Sequence, residues 1–164
     1  MRYIEAPEYW DDKEGTGIFL AGGITDCYDW QFFLTNQLQS MLSDDYIVLN
    51  PRRKEFPIDD NDAAREQIIW EHRHLEKSKA IIFWFSPPTL NPIALFEYGT
   101  QIVRNKQLFV GCHDDYPRKT DVEIQTGLYR PNQVISSDLI GIVEEITAWN
   151  NGREFGKAFE MATG

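Results

Sequence analysis

The chain has 164 residues, 42% of them hydrophobic and 13% aromatic, enough for one domain with a packed core and too few for two. A formal charge of −10 without a basic stripe argues against tracking a nucleic-acid polymer, though not against one nucleotide held by local arginines. Cys27 and Cys112 are too few for a disulfide framework, and no apolar run approaches the ~20 residues of a membrane span.

The first residues, Met1 to Lys13, are charged and lack the apolar stretch of a secretory signal, so a soluble, cytoplasmic protein is expected. Gly17–Ala21 reads as a buried first strand stopped by Gly22-Gly23. Asp29 then caps a helix from about Trp30 to Leu42, with Phe33, Leu34, Leu38 and Met41 on its apolar side. Tyr46–Leu49 is the second strand, ended by Asn50-Pro51, and the acidic stretch from Arg52 to Asp62 is a loop. A second helix is expected from about Ala63 to Ser78, burying Ile68, Ile69, His72 and Leu75. His72 and His74 lie two apart on it and face different ways, so no metal site and no cofactor are expected.

Ala80–Phe85 is apolar throughout, as a central parallel strand covered on both faces requires. Ser86-Pro87-Pro88 ends it, and Asn91-Pro92 reads as the cap and first turn of a helix to about Asn105. Gln107–Gly111 is the fourth strand, His113 to Pro131 reads as irregular, and a short fifth strand near Gln133–Ile135 precedes a helix from Ser137 to about Asn150. Residues 1–151 thus form one α/β domain, a doubly wound parallel sheet of about five strands in the order 2-1-3-4-5 with helices on both faces. Residues 152–164, with Phe155 and Phe159, are expected as a tail that contacts a neighbouring subunit.

Such sheets bind ligands beyond the carboxyl ends of their strands, where the winding reverses. Three loops lie there: Gly22-Gly23-Ile24-Thr25-Asp26 after the first strand, Asn50-Pro51-Arg52-Arg53 after the second, and Ser86 to Asn91 after the third. Glycines admit a ligand close to backbone, though a Gly-Gly pair is ordinarily just a turn. Neither a dinucleotide fingerprint nor a P-loop is present. Arg52 and Arg53 suit phosphate or carboxylate oxygens, or else pair with Glu55, Asp59 or Asp60. Glu97, just over one turn into its helix, is a candidate nucleophile toward an anomeric carbon. Glu71, on the preceding helix, is a candidate for handling the leaving group.

Together, Phe19-Leu-Ala-Gly-Gly-Ile24 with Asp29-Trp30-Gln31, Leu49-Asn-Pro-Arg-Arg53, Gln67-Ile-Ile-Trp-Glu71, Ser86-Pro-Pro-Thr-Leu-Asn-Pro-Ile93, Leu95-Phe-Glu-Tyr-Gly99 and Leu108-Phe-Val-Gly-Cys112 resemble the nucleoside 2-deoxyribosyltransferase-like family. The resemblance implies a flavodoxin-like sheet, a homo-oligomer whose sites are completed by neighbours, and a place in nucleotide salvage. It implies Glu97 as nucleophile and Glu71 as the carboxylate assisting the base, with the Gly22-Gly23-Ile24 loop at the base and sugar and Trp30 stacking nearby. Better-studied members carry aspartate at the positions of Glu71 and Asn91, and the second departure removes a charge near the sugar.

The reaction implied is cleavage of a (2′-deoxy)nucleoside through a deoxyribosyl–Glu97 intermediate, with transfer to another nucleobase and overall retention. A hydrolase of nucleoside 5′-monophosphates, with Arg52 or Arg53 and Ser86 on the phosphate, or of another N-glycoside, is the first alternative. Cleavage of a dinucleotide's nicotinamide–ribose bond is a more distant one, and a non-catalytic nucleotide-binding module is the second class. The partners expected are a small nucleoside or nucleotide and a free base, with no nucleic-acid polymer and no membrane.

Overall fold

A computed structural model describes residues 1–57 and 59–163, with backbone alone at 61 and 154–163. The strands are β1 (Arg2–Glu5), β2 (Thr16–Gly22), β3 (Tyr46–Asn50), β4 (Ala80–Phe85), β5 (Gln107–Cys112) and β6 (Ile135–Ser136). Between and after them run helices α1 (Trp30–Gln39), α2 (Asn61–Lys77), α3 (Pro92–Gln101), α4 (Lys119–Tyr129) and α5 (Leu139–Thr163). All strand pairs are parallel, in one sheet of order β1-β3-β2-β4-β5-β6. The fold is flavodoxin-like, and the order expected from the sequence holds for its five strands, with β1 added at one edge.

Side chains alternate across the pleat, and each face has its own core. Phe19, Ala21, Ile81, Phe83 and Val110 point toward the side that Trp70 and Leu75 of α2 and Tyr98 of α3 cover. Ile18, Leu20, Ile82 and Phe109 point to the other side, against Leu34 and Leu38 of α1 and Ile142 and Ile146 of α5. Each such side chain contributes roughly 1.5–3 kcal/mol by leaving water. Both faces of β4 are buried throughout, which is why its six residues carry no polar position.

Several expectations are corrected. The sheet has six strands rather than five: the charged N-terminal segment contains β1, whose Ile4 is fully buried while Arg2 and Tyr3 stay exposed. The 113–131 stretch, expected as irregular, contains α4, whose start lacks a side-chain cap. On α2, Ile68 and Ile69 are exposed, as is His72; the buried face is Ala63, Trp70, His74 and Leu75. The last helix continues past Asn150 to Thr163. The side chains of Phe155 and Phe159, and Gly164, lie outside the described residues. No described helix is long and apolar enough to cross a membrane.

His74 ties the segment after β1 to α2. Its Nδ1 lies 2.7 Å from the Trp70 carbonyl, and its Nε2 accepts from the Trp10 backbone N–H at 3.2 Å. The ring is therefore neutral with its proton on Nδ1. Burial pushes its pKa below the ordinary 6.5, opposed by the Trp70 carbonyl and reinforced by Lys77 and Arg73. The unfolded chain then takes up a proton that the folded chain refuses, so this contribution is full above about pH 6.5 and is lost as pH falls below it. His74→Phe should lower urea stability by about 1–3 kcal/mol near neutral pH by orphaning the Trp10 N–H. It should also shrink the stability difference between about pH 7.5 and about 5.5; a difference as large as in the wild type would place the acid sensitivity elsewhere.

Candidate active site

The chain passes from β2 through α1 to β3, then crosses back over β2 to β4. This reversal puts the loop after β2 opposite the loop after β4. Gly23 is where the two meet. A Cβ there would collide with Asn91 Oδ1 and Cys27 Sγ, so any larger residue would push both side chains off the contact that joins the loops. Its carbonyl oxygen accepts from Trp30 Nε1 at 3.0 Å, Gln31 Nε2 at 3.4 Å and Arg52 Nη2 at 3.5 Å.

Arg52 is the principal tie of this loop. Its Nε donates to Gln31 Oε1 at 3.1 Å and lies 3.5 Å from the Asp29 carboxylate. Its Nη2 also reaches the carbonyls of Cys27 at 3.2 Å and Tyr28 at 3.3 Å. Asn50 supports it, accepting from the Arg52 backbone N–H at 3.0 Å while donating to the Tyr3 hydroxyl at 2.7 Å. A guanidinium so engaged acts as a clamp on the β2–α1 loop.

Asn91 precedes α3 in a left-handed conformation, φ 46°, and makes no side-chain cap. Its amide instead binds the loop behind it: Oδ1 accepts from Thr89 Oγ1 at 2.6 Å and Nδ2 donates to the Ser86 carbonyl at 3.1 Å. Cys27 Sγ, 3.5 Å from the same Oδ1 and 3.3 Å from Thr89 Oγ1, joins the two loops. A carboxylate here would face the Ser86 carbonyl with no proton to donate, which explains why an amide stands at this position.

Between these loops and α2 and α3 lies a cavity of about 440 Å³. Gly22, Gly23, Ile24, Thr25 and Asp26 form one wall, Thr89 and Asn91 with Pro92, Ile93 and Ala94 another, and Phe19, Pro51, Glu71 and Glu97 complete it. α3 brings Glu97 in from its first turns, and α2 brings Glu71 in from its middle. Gln67, one turn earlier on α2, donates Nε2 to Glu71 Oε1 and to the Pro51 carbonyl, both at 2.7 Å. Glu71 is pushed up by burial and held back by this bond and by the charge of Arg53. Glu97 has no such counterweight: burial, then the Glu71 charge, push it up to about 8. The pair thus divides into one carboxylate whose upward shift is opposed by its neighbours and one that holds its proton at neutral pH.

Of the residues proposed from sequence, Glu97, Glu71, Gly22, Gly23, Ile24 and Asn91 meet at this cavity. Trp30, Asn50, Arg52, Arg53 and Ser86 do not line it. Trp30 is 1% exposed and packs beneath the Gly23 loop, so it is no stacking surface for a base. Ser86 contributes a carbonyl to Asn91. Arg53 pairs with Glu66 at 3.0 Å, lies over the Phe56 ring, and faces a separate cleft with Tyr9 and Arg73. Sequence reasoning placed Asp26 in the loop after the first strand without a role and passed over Gln67 as a site residue; the Gln67–Glu71 spacing of four on a helix was the available signal for the latter. Among the described residues, no group of three His, Cys, Asp or Glu side chains could hold a metal.

The fold and site together define a flavodoxin-like α/β protein with two carboxylates at the switch point of its sheet. A family profile described as nucleoside 2-deoxyribosyltransferase-like matches residues 15–116, more than half of the sequence, and the chain belongs to that family. Its structure is similar to the crystal structure of a conserved protein from Enterococcus faecalis V583 at a TM-score of 0.61 and 18% identity, covering 82% of this chain and 98% of that one. At that identity the likeness establishes the fold alone. Among curated proteins, none matches by sequence.

Asn91→Asp tests the loop arrangement. The carboxylate should cost about 1–3 kcal/mol of stability relative to wild type near neutral pH. Protonation restores a donor to Ser86, so the folded pKa is raised and the deficit should shrink as pH falls through it. A deficit independent of pH in paired urea titrations would contradict the assigned hydrogen bonds.

Proposed function

We propose that this protein cleaves the N-glycosidic bond of a nucleoside at this cavity and transfers the sugar to a second nucleobase, with Glu97 as nucleophile. The observation that carries the reading is the convergence of Glu97 and Glu71 on one mostly apolar cavity beside the glycine loop, in a chain of this family. Ionised Glu97 attacks C1′ and forms a carbon–oxygen bond as the C1′–N bond breaks, its electron pair leaving with the base. Glu71 faces the departing base and exchanges a proton with it. A second base, attacking C1′ through its ring nitrogen, releases Glu97 with net retention. Phe19, Ile24 and Ile93 exclude water from the covalent intermediate.

Arg52 is committed to the β2–α1 loop and Arg53 to Glu66. That disposition favours a free 5′-hydroxyl over a 5′-phosphate, and so a nucleoside over a monophosphate. We also propose that the protein works as a homo-oligomer: on α3, Ile93 and Phe96, in the turn leading to Glu97, are 64% and 73% exposed.

Chromatography of 2′-deoxyinosine with and without cytosine, and of deoxynucleoside monophosphates, tests the reaction. Deoxycytidine formed only when cytosine is present is the expected result; free base released only from the monophosphates would replace this reading with a hydrolase. Glu97→Ala should abolish turnover while leaving the fold intact by circular dichroism. For an uncharged nucleoside, kcat/KM should rise with pH and level off above about 8, because only ionised Glu97 attacks; a profile falling through that range would remove Glu97 from the nucleophile's role. By light scattering the wild type should exceed the mass of a single chain, and Phe96→Asp should reduce it; a monomeric wild type would contradict the assembly.

A further inference from the structure

The charge inside the cavity is one-sided. Asp26, Glu71 and Glu97 all line it, and among the described residues no lysine, arginine or histidine does. The two arginines that follow β3 are engaged elsewhere. Arg52 is held by the carbonyls of Gly23, Cys27 and Tyr28. Arg53, 7% exposed, is ion-paired with Glu66 and opens on the cleft behind α2; its field reaches Glu71 from outside and leaves Glu97 uncompensated. The remaining wall is apolar, with Phe19, Ile24, Pro92 and Ile93, and so screens poorly. A cavity of about 440 Å³ has room for a nucleoside.

Resting on the N-glycosidic reading of this same site, we propose that the favoured substrates are nucleosides whose base is a cationic heteroaromatic ring, such as a pyridinium or a ring-alkylated purine. A cationic ring supplies the countercharge that the lining omits. Its electrostatic contribution grows with each carboxylate that is ionised, so binding draws the proton off Glu97 and generates the nucleophile. The chemistry then closes without a general acid. Glu97 Oε forms the bond to C1′, the C1′–N bond breaks, and its electron pair neutralises the ring's positive charge, so the base leaves without protonation. Glu71, made the easier of the two to ionise because Gln67 and Arg53 oppose the effect of its burial, accepts the proton of the incoming base or water that resolves the intermediate. An uncharged base would have to gain a proton from Glu71 on departure, against that arrangement.

The test is calorimetric titration of the full chain with 1-methylnicotinamide, a permanent cation, and with nicotinamide, its uncharged parent, each at millimolar concentration and low salt. The cation should bind at least tenfold more tightly, and Glu71→Gln and Asp26→Asn should each erode that preference. In parallel, kcat measured with nicotinamide riboside and its 2′-deoxy form should reach half its maximum at least one pH unit lower than kcat with deoxyinosine. A better leaving group alone would raise the rate without moving that midpoint. Equal affinity for the two rings, tighter binding of the uncharged one, or no binding of the cation would overturn the proposal. If deoxyinosine is turned over without any preference for cations, only this inference fails; if cations bind preferentially but no N-glycoside is cleaved, it is the proposed reaction that fails.

Discussion

The Gly23 carbonyl and the bare Cα beside it set the geometry on which the rest of the site depends. Three donors from two elements converge on that oxygen, Trp30 and Gln31 from α1 and Arg52 from beyond β3. On the other side, the absent side chain lets Asn91 and Cys27 close against the backbone. This double contact welds the β2 loop to the β4 loop at the switch point, and the cavity is the space left between that weld and the helices carrying Glu71 and Glu97. Buried carbonyls and amides must find partners, so these residues are held to a narrow choice: Arg52 has the reach and the number of donors to serve four acceptors, and lysine does not.

The same economy of polar groups shapes the chemistry. The arginines that could have neutralised the cavity are spent on structure, which leaves the carboxylates to set each other's protonation. Gln67 and Arg53 make Glu71 the easier of the two to ionise, and Glu97 is left with burial and a neighbouring negative charge. On the proposed mechanism Glu97 must lose its proton before it attacks, either to solvent at higher pH or, since no cation lines the cavity among the described residues, through the charge of the substrate itself. Family membership covers residues 15–116 and so includes both carboxylates, but the disposition of the arginines belongs to this chain's own geometry.

Much of the fold was legible because burial on both faces writes an unmistakable pattern: Ala80–Phe85 matches β4 residue for residue. β1 was hidden because an edge strand of four residues buries one side chain fully, Ile4, and keeps its neighbours charged or polar. α4 was hidden because Lys119–Tyr129 buries only Val122 and Thr126 and has no side-chain cap to announce it. α2 misled because its exposed face carries Ile68 and Ile69 while its core face includes His74, a residue whose Nδ1 is satisfied by the Trp70 carbonyl one turn earlier and whose Nε2 is satisfied by the distant Trp10 backbone N–H. At the site, position on the helices made the carboxylates candidates and the motif resemblance singled them out, and both line the cavity. The role of Arg52 could not be read in this way, since three of its partners are main-chain carbonyls, which have no letter in the sequence. Nor could that of Asn91, since its partners Cys27, Thr89 and the Ser86 carbonyl meet only once the two loops are folded together.

The central claim is that the sugar passes through a covalent bond to Glu97. Acid quenching of the protein during turnover of a 2′-deoxynucleoside, followed by proteolysis and mass spectrometry, tests it directly. The account predicts a deoxyribosyl increment on the peptide containing Glu97, absent when free acceptor base is in large excess. Steady turnover with no adduct, or an adduct confined to the peptide containing Glu71, would contradict it.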